Sequence, residues 1–215
     1  MGRVRTFAVA VLAAALLTGC FTGDRPHLAP EVAAVNDPAV RDVIDRLEAT
    51  NDAQFTAVYT ILTKLGSEPI PPTQATVAQA SPTALAVTIG SIRFLDQDGN
   101  QQTCNLATAA CPAGLDDAQV SGLLVSHGFY AASPAARLRQ DAATMVGAAL
   151  PSTREIAGQT ATCVQVNFAA GTKVYCVLDS GVLAFQDTPD LQIDLLSFTN
   201  GTDPAQFTIS TVAES

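Results

Sequence analysis

Five cysteines and two histidines are the side chains with the widest chemistry in this 215-residue chain. A thiol can be acylated, can pair as a disulfide or can bind a metal. Cys20 stands apart from the other four, at the end of a leader. Arg3 and Arg5 precede Phe7 to Leu17, an uncharged apolar run of eleven residues. Spanning a bilayer takes ~20 such residues, so the run suits the apolar region of a secretory signal peptide. It closes on Leu17-Thr18-Gly19-Cys20, which matches the bacterial lipobox. Small residues ahead of the cysteine let an extended backbone enter a peptidase cleft, and the thiol accepts a diacylglyceryl group. Cleavage is expected between Gly19 and Cys20, which makes residues 1–19 a signal peptide and residue 20 a lipid anchor on the extracytoplasmic face of the cell membrane.

The remaining four, Cys104, Cys111, Cys163 and Cys176, then sit in an oxidising compartment where pairing is expected. Four cysteines allow three connectivities. The local one, Cys104 with Cys111 and Cys163 with Cys176, is favoured because each pair flanks a short turn-like segment. A metal site is disfavoured, since the spacings lack CxxC character and both histidines lie elsewhere.

Little else points to catalysis. His27 falls in the stretch after Cys20, and His127 follows a helical segment. Ser126 adjoins His127, but adjacency does not make a nucleophile–base pair. Asp96-Gln97-Asp98-Gly99-Asn100 has Gly at the fourth position and no Glu at the twelfth, so a hairpin turn explains it better than a calcium loop. Asn200-Gly201-Thr202 is formally a glycosylation sequon and is expected to be a type I′ turn. There is no GxSxG, Gly-rich phosphate loop or paired-His motif. No enzyme activity, cofactor or metal is expected.

Composition narrows the partners. Without Arg3 and Arg5, 9 of the 11 basic residues face 20 acidic ones, a net charge of −11 on residues 20–215. Nucleic acid needs a basic surface and is excluded as an expected partner. Anionic lipid would repel the same surface, so the covalent anchor must hold the membrane. Apolar residues make up 48% of the chain against 14% charged, enough for a sizeable core.

The elements follow from periodicity. Residues 20–36 show no period and carry Gly and Pro, as a flexible tether does. Asp37-Pro38 is an N-cap followed by proline at the first helical position, and Val40, Val43, Ile44 and Leu47 mark one helix face. From Gln54 the period drops to two through Phe55, Ala57, Tyr59 and Ile61, a strand with one buried face. Further strands are expected at Thr73 to Ala80, Ala84 to Leu95 and Gln101 to Leu106, the last two joined by Asp98-Gly99. Two helices are expected over Leu115 to Val125 and Ser133 to Ala149, the second capped by Ser133-Pro134 with Leu138, Met145 and Val146 buried. A meander follows, with strands at 153–156, 160–168, 173–178, 182–186, 191–199 and 206–211. A hairpin around Ala169-Ala170 would set Cys163 opposite Cys176. The whole is an α+β domain over residues 37–215, expected to be a monomer.

This order of elements resembles the LolA-like carrier fold, including the LppX and LprG branch of mycobacterial lipoproteins. The closest local likeness is Ile156-Ala157-Gly158-Gln159 leading into Thr162-Cys163-Val164, then Val174-Tyr175-Cys176-Val177 and Asp179-Ser180-Gly181-Val182-Leu183. Gln159 and Ser180 depart from the pattern of actinobacterial lipoproteins with this architecture. The resemblance implies a curved antiparallel sheet, an open half-barrel, with helices covering its concave face. It also implies an acyl chain or other lipid bound between sheet and helices. Candidate lining residues are Phe55, Tyr59, Ile61, Leu85, Val87 and Ile89 from strands, with Leu123, Leu124, Leu138 and Met145 from helices. Two functions compete: an envelope lipoprotein that binds or carries a hydrophobic ligand, and a structural or sensory interaction module with a filled core. An apolar cavity of several hundred Å³ would favour the first, and a close-packed interior the second.

Overall fold

The computed structural model describes residues 35–50, 53–65 and 70–208. The leader 1–19, Cys20, His27 and the tether up to residue 34 lie outside the described residues. Helix α1 (Pro38–Ala49) begins as its sequence directs. Asp37 Oδ1 accepts from Ala39 N at 3.0 Å and Val40 N at 3.2 Å, satisfying two of the donors a helix start leaves open. Val40, Val43, Ile44 and Leu47 are all buried, each contributing roughly 1.5–3 kcal/mol.

Ten strands form one antiparallel sheet: β1 (Phe55–Thr63), β2 (Thr73–Ser81), β3 (Ala84–Ile89), β4 (Ile92–Gln97), β5 (Asn100–Asn105), β6 (Leu150–Ile156), β7 (Gln159–Phe168), β8 (Gly171–Leu178), β9 (Leu183–Asp187) and β10 (Leu191–Asn200). Their spatial order is β5-β4-β3-β2-β1-β10-β9-β8-β7-β6. Two five-strand meanders therefore meet at the β1–β10 pair. The sheet is curved and does not close, since β5 and β6 occupy opposite edges. Between the meanders run a 3₁₀ segment (Asp117–Leu123) and helix α2 (Ala132–Thr144), which with α1 cover the concave face. This is the α+β open half-barrel that the resemblance implies.

Several expected elements differ in detail. Ala84 to Leu95 is two strands, not one, because Gly90 adopts φ +58° and turns the chain so that Ile89 faces Ile92. Glycine at the first turn position is what a II′ hairpin requires. Ser133 does not cap α2; Ala131 holds the N-cap position without a side-chain bond, and the Ser133 hydroxyl meets Ser126 Oγ at 2.7 Å. Helix α2 stops at Thr144, so Val146 is 62% exposed rather than buried. Its amide instead donates to Asn167 O at 2.7 Å, and Gly147 (φ +75°) turns the chain toward β6. Asn200 ends β10 opposite Phe55 and lacks the positive φ of a type I′ turn; only Gly201 has it, at +87°. The expected strand at 206–211 is replaced, as far as residue 208, by a 3₁₀ segment, Pro204–Phe207, started by Asp203 as Asp37 starts α1. Phe207 packs there on a second small core of Ala78, Ala86, Leu95 and Cys104.

Both local disulfides form. Cys163 and Cys176 are paired directly across β7 and β8, with Phe168 opposite Gly171 closing the hairpin, and their Cα atoms are 3.9 Å apart. Cys104–Cys111 closes a loop that lies along edge strand β5 through bridges Gln102–Ala113 and Asn105–Ala110. An edge covered in this way is blunted against pairing with other chains. Loop-closure entropy predicts that Cys163→Ala with Cys176→Ala costs ~3 kcal/mol, and the corresponding Cys104/Cys111 double substitution ~2.5 kcal/mol. Urea melts of the two variants check both values.

Candidate functional site

The concave face is apolar by alternation: every second residue of β1 from Phe55 to Thr63 is buried, as are Leu191, Ile193 and Leu195 of β10. Residues 124–131, the link between the 3₁₀ segment and α2, lie over this face as a lid. The lid inserts two aromatics. Phe129 stands edge-on to Tyr59 with ring centroids 5.1 Å apart, and Tyr130 edge-on to Phe55 at 5.9 Å. Polar ties hold it along its length: His127 N donates to Asp117 Oδ1 at 2.7 Å and the Ser126 hydroxyl meets Ser133 Oγ at 2.7 Å. Thr63 Oγ1 donates to Leu123 O at 3.2 Å, Arg137 Nη2 to Leu124 O at 2.5 Å and Leu183 N to Tyr130 O at 2.8 Å. Tyr130 Oη donates to Gln79 Oε1 at 3.2 Å, while Gln79 Nε2 bonds the carbonyls of Thr50 and Ala53. That glutamine joins strand, lid and the end of α1.

Local rules are broken beneath the lid. Leu124 has φ +60°, ψ +25°, a left-handed conformation uncommon for a bulky residue. Three buried side-chain polar atoms lack a hydrogen-bond partner among the described residues: Tyr59 Oη, Gln186 Nε2 and Ser180 Oγ. The first two belong to this region. Gln186 is 1% exposed and, with Leu124, Phe129, Pro134, Arg137 and Ile193, lines a cleft of only about 10 Å³. Such a space admits about one water molecule. An unmade bond at a buried donor costs ~1–3 kcal/mol.

A charged cluster lies next to the cleft. Asp141 of α2, 7% exposed, accepts from Lys173 Nζ at 2.5 Å and from Tyr175 Oη at 2.7 Å. Tyr175 pairs with Gln186, which pairs with Ile193, so cluster and cleft share one row of the sheet. Burial holds the phenols of Tyr59, Tyr130 and Tyr175 well above the ordinary tyrosine range, and at Tyr175 the bond to Asp141 adds to the rise. All three therefore stay neutral donors. The hydrogen bond from Thr188 depresses the Asp190 carboxyl, against its partial burial and helped by Arg137 and Lys173.

The ten candidate lining residues are placed as follows. Phe55, Tyr59, Ile61, Val87, Ile89 and Leu138 are fully packed core. Leu85, Leu123 and Met145 are partly buried against it. Leu124 lines the cleft beneath the lid, while Met145 borders a separate polar pocket of about 300 Å³ beside Asp37 and Arg139. Phe129, Tyr130, Arg137 and Gln186 are the site residues that sequence reasoning missed. An aromatic pair in a stretch otherwise of small residues was the available signal for the first two.

Hydrolytic chemistry finds no constellation at His127. Its Nδ1 lies 3.0 Å from both oxygens of Asp117, and its ring lies 5.8 Å from that of Phe94. The Ser126 hydroxyl is engaged by Ser133. Among the described residues no group of three His, Cys, Asp or Glu side chains is arranged to hold a metal ion, and no helix is long and apolar enough to cross a membrane.

Comparison with models of known protein families and with curated proteins returns no match. Solved structures similar to this chain include the MucA/MucB complex of Pseudomonas aeruginosa, at 14% identity and TM-score 0.49 over 79% of this chain and 60% of the matched one. A LolA superfamily protein from Nitrosomonas europaea is similar at 12% identity and TM-score 0.39, over 79% and 97%. The Mycobacterium tuberculosis lipoprotein LppX is similar at 16% identity and TM-score 0.42, over 78% and 97%. The chain spans about three-fifths of the MucA/MucB and MucB chains it matches, 60% and 63%. At these identities and scores the likeness lies in the path of the chain, and no ligand, partner or site residue comes with it.

Proposed function

We propose that this is a lipoprotein of the cell envelope, held at the extracytoplasmic face through Cys20, that takes an acyl chain or similarly slender hydrophobic ligand beneath the 124–131 lid without catalysing a reaction. The signal peptide 1–19, the tether 20–36 and the domain 37–215 form its parts, and it acts as a monomer.

One observation carries the ligand reading: two of the three orphaned buried polar atoms lie under a lid whose own Leu124 is left-handed. Unsatisfied donors and backbone strain persist where the surroundings over-determine them, and they gather at places that bind or move. An acyl chain would replace the lid's aromatics on the apolar face, and the lid would release the bonds that Tyr130 makes to Gln79 and Leu183. The test is saturable uptake of a fluorescent fatty acid. One probe per chain, displaced by unlabelled fatty acid, is expected; an unsaturable or absent signal sinks the reading.

The second reading, an interaction module with a filled core, is favoured by the cleft's volume. At about 10 Å³ the space falls far below the ~300–1,000 Å³ of ordinary ligand pockets. The two readings divide on whether the lid opens. Opening needs a ligand that interacts better with the open state than with the closed one.

A further inference from the structure

We infer that the ligand of this cleft carries an ionised carboxylate, taken by Arg137 and Gln186, and that Arg137 acts as the latch of the lid. The inference rests on the acyl-ligand reading above and specifies the ligand's polar end.

The chemistry of the two side chains sets the ligand class. Gln186 offers a buried amide N–H with no acceptor among the described residues. Arg137 lines the same cleft, and no carboxylate lies within 4.0 Å of its guanidinium among the described residues. One of its five N–H groups goes to Leu124 O. A guanidinium fork matches a carboxylate in two parallel bonds. An adjacent amide donor adds a third. The apolar neighbours Leu124, Phe129 and Ile193 exclude water from these bonds and suit a chain attached to the carboxylate.

The same geometry supplies a reason for the lid to open. In the closed form Arg137 satisfies a neutral carbonyl of the lid. A bond to an ionised acceptor is roughly twice as strong as one to a neutral acceptor, so an incoming carboxylate competes well for the guanidinium. Leu124 O then loses its bond from Arg137, while Leu124 N keeps its bond to Ser121 O at the end of the 3₁₀ segment. Gln186 gains an acceptor it lacks when the lid is shut. Both changes favour the open state only when a carboxylate is present. That is the differential interaction a ligand-driven shift requires. Two carboxylates of the protein stand near enough to matter: Asp141 has its oxygens held by Lys173 and Tyr175, and Asp190, which feels the charge of Arg137, accepts from Thr188 Oγ1 and lies beyond 4.0 Å of the guanidinium.

The test compares decanoate with 1-decanol at pH 8 by calorimetry, using the full chain carrying Cys20→Ser so that it is free of its own acyl groups. Decanoate is expected to bind at least about tenfold more tightly than decanol, a factor equal to about 1.4 kcal/mol. In Arg137→Leu the two should bind within about twofold of each other. Gln186→Glu keeps the side chain's shape but opposes a second carboxylate, and should weaken decanoate at least about tenfold more than it weakens decanol. Circular dichroism of each variant separates a lost site from a lost fold, and Gln186→Glu carries the test if Arg137→Leu does not fold. Equal binding of acid and alcohol by the unsubstituted site overturns the carboxylate assignment but leaves the acyl-ligand reading standing. No binding of either, with a single water on Gln186 Nε2 in a crystal structure, overturns both.

Discussion

Replacing Gly181 by Val is expected to remove about 3–5 kcal/mol of stability, a large part of the ~5–15 kcal/mol that holds a typical domain. Gly181 sits in the β8–β9 turn with φ +82°, where β-branched residues are strongly disfavoured. It also lies against the last turn of α1. A Cβ there would fall on the carbonyl oxygen of Arg46, within 2.7 Å of Thr50 Oγ1 and 2.9 Å of Thr50 N. Two of those atoms are backbone and cannot swing aside. Thr50 Oγ1 in turn donates to the Gly181 carbonyl, so helix and turn are fastened together. Making room means lifting α1 from the sheet, which uncovers Val43 and Leu47. Gly181→Ala carries the same φ strain with less bulk and should cost less. Thermal melts followed by circular dichroism check the order wild type, Ala, Val, with a fall on the order of 10 °C for Val. A Val variant melting within about 2 °C of wild type would show that the seat of α1 has been misjudged.

Cys20→Ser should move the protein from the membrane fraction to the soluble fraction completely. A serine hydroxyl does not replace the thiol as acceptor of the diacylglyceryl group. Each buried methylene contributes ~0.8 kcal/mol, and two chains hold where one is marginal. The acidic chain offers no electrostatic substitute, because the net charge of −11 on residues 20–215 opposes anionic lipid. Labelled palmitate incorporation and fractionation of the wild type and the variant check this. Label on the variant, or its retention in the membrane, would remove Cys20 as the anchor.

The parts of the fold legible in sequence were those set by local chemistry. Asp37-Pro38 specified the start of α1, because an acceptor side chain and a proline suit the open donors of a helix end. The alternation from Phe55 to Ile61 specified β1 and its buried face. Cys163 and Cys176 could be matched because the chain between them is a single hairpin, so local turn position set the pairing. Gly90 was misjudged because apolar residues continue on both sides of it, and nothing in hydrophobicity marks a two-residue turn. Ser133-Pro134 looked like a cap, yet the serine found a better partner in Ser126.

The site itself was mostly illegible. Gln186 and Arg137 belong to β9 and α2, and only the folded sheet brings them to one cleft. Neither a period nor a spacing could announce that Gln186 would lack a partner while Gln79, a similar residue on β2, would bond Thr50, Ala53 and Tyr130. Gly181 lay within the segment that carried the sequence resemblance. Its physical meaning, contact with the backbone of α1, emerged only from the tertiary structure.

Native mass spectrometry of the chain purified from its own envelope decides whether the domain carries an acyl ligand. A population heavier than the apoprotein by one acyl-bearing molecule is expected, released under mild activation and lost after delipidation. Only apoprotein, from membranes rich in acyl lipid and under conditions that preserve the fold, would contradict it and leave the filled-core module as the better description.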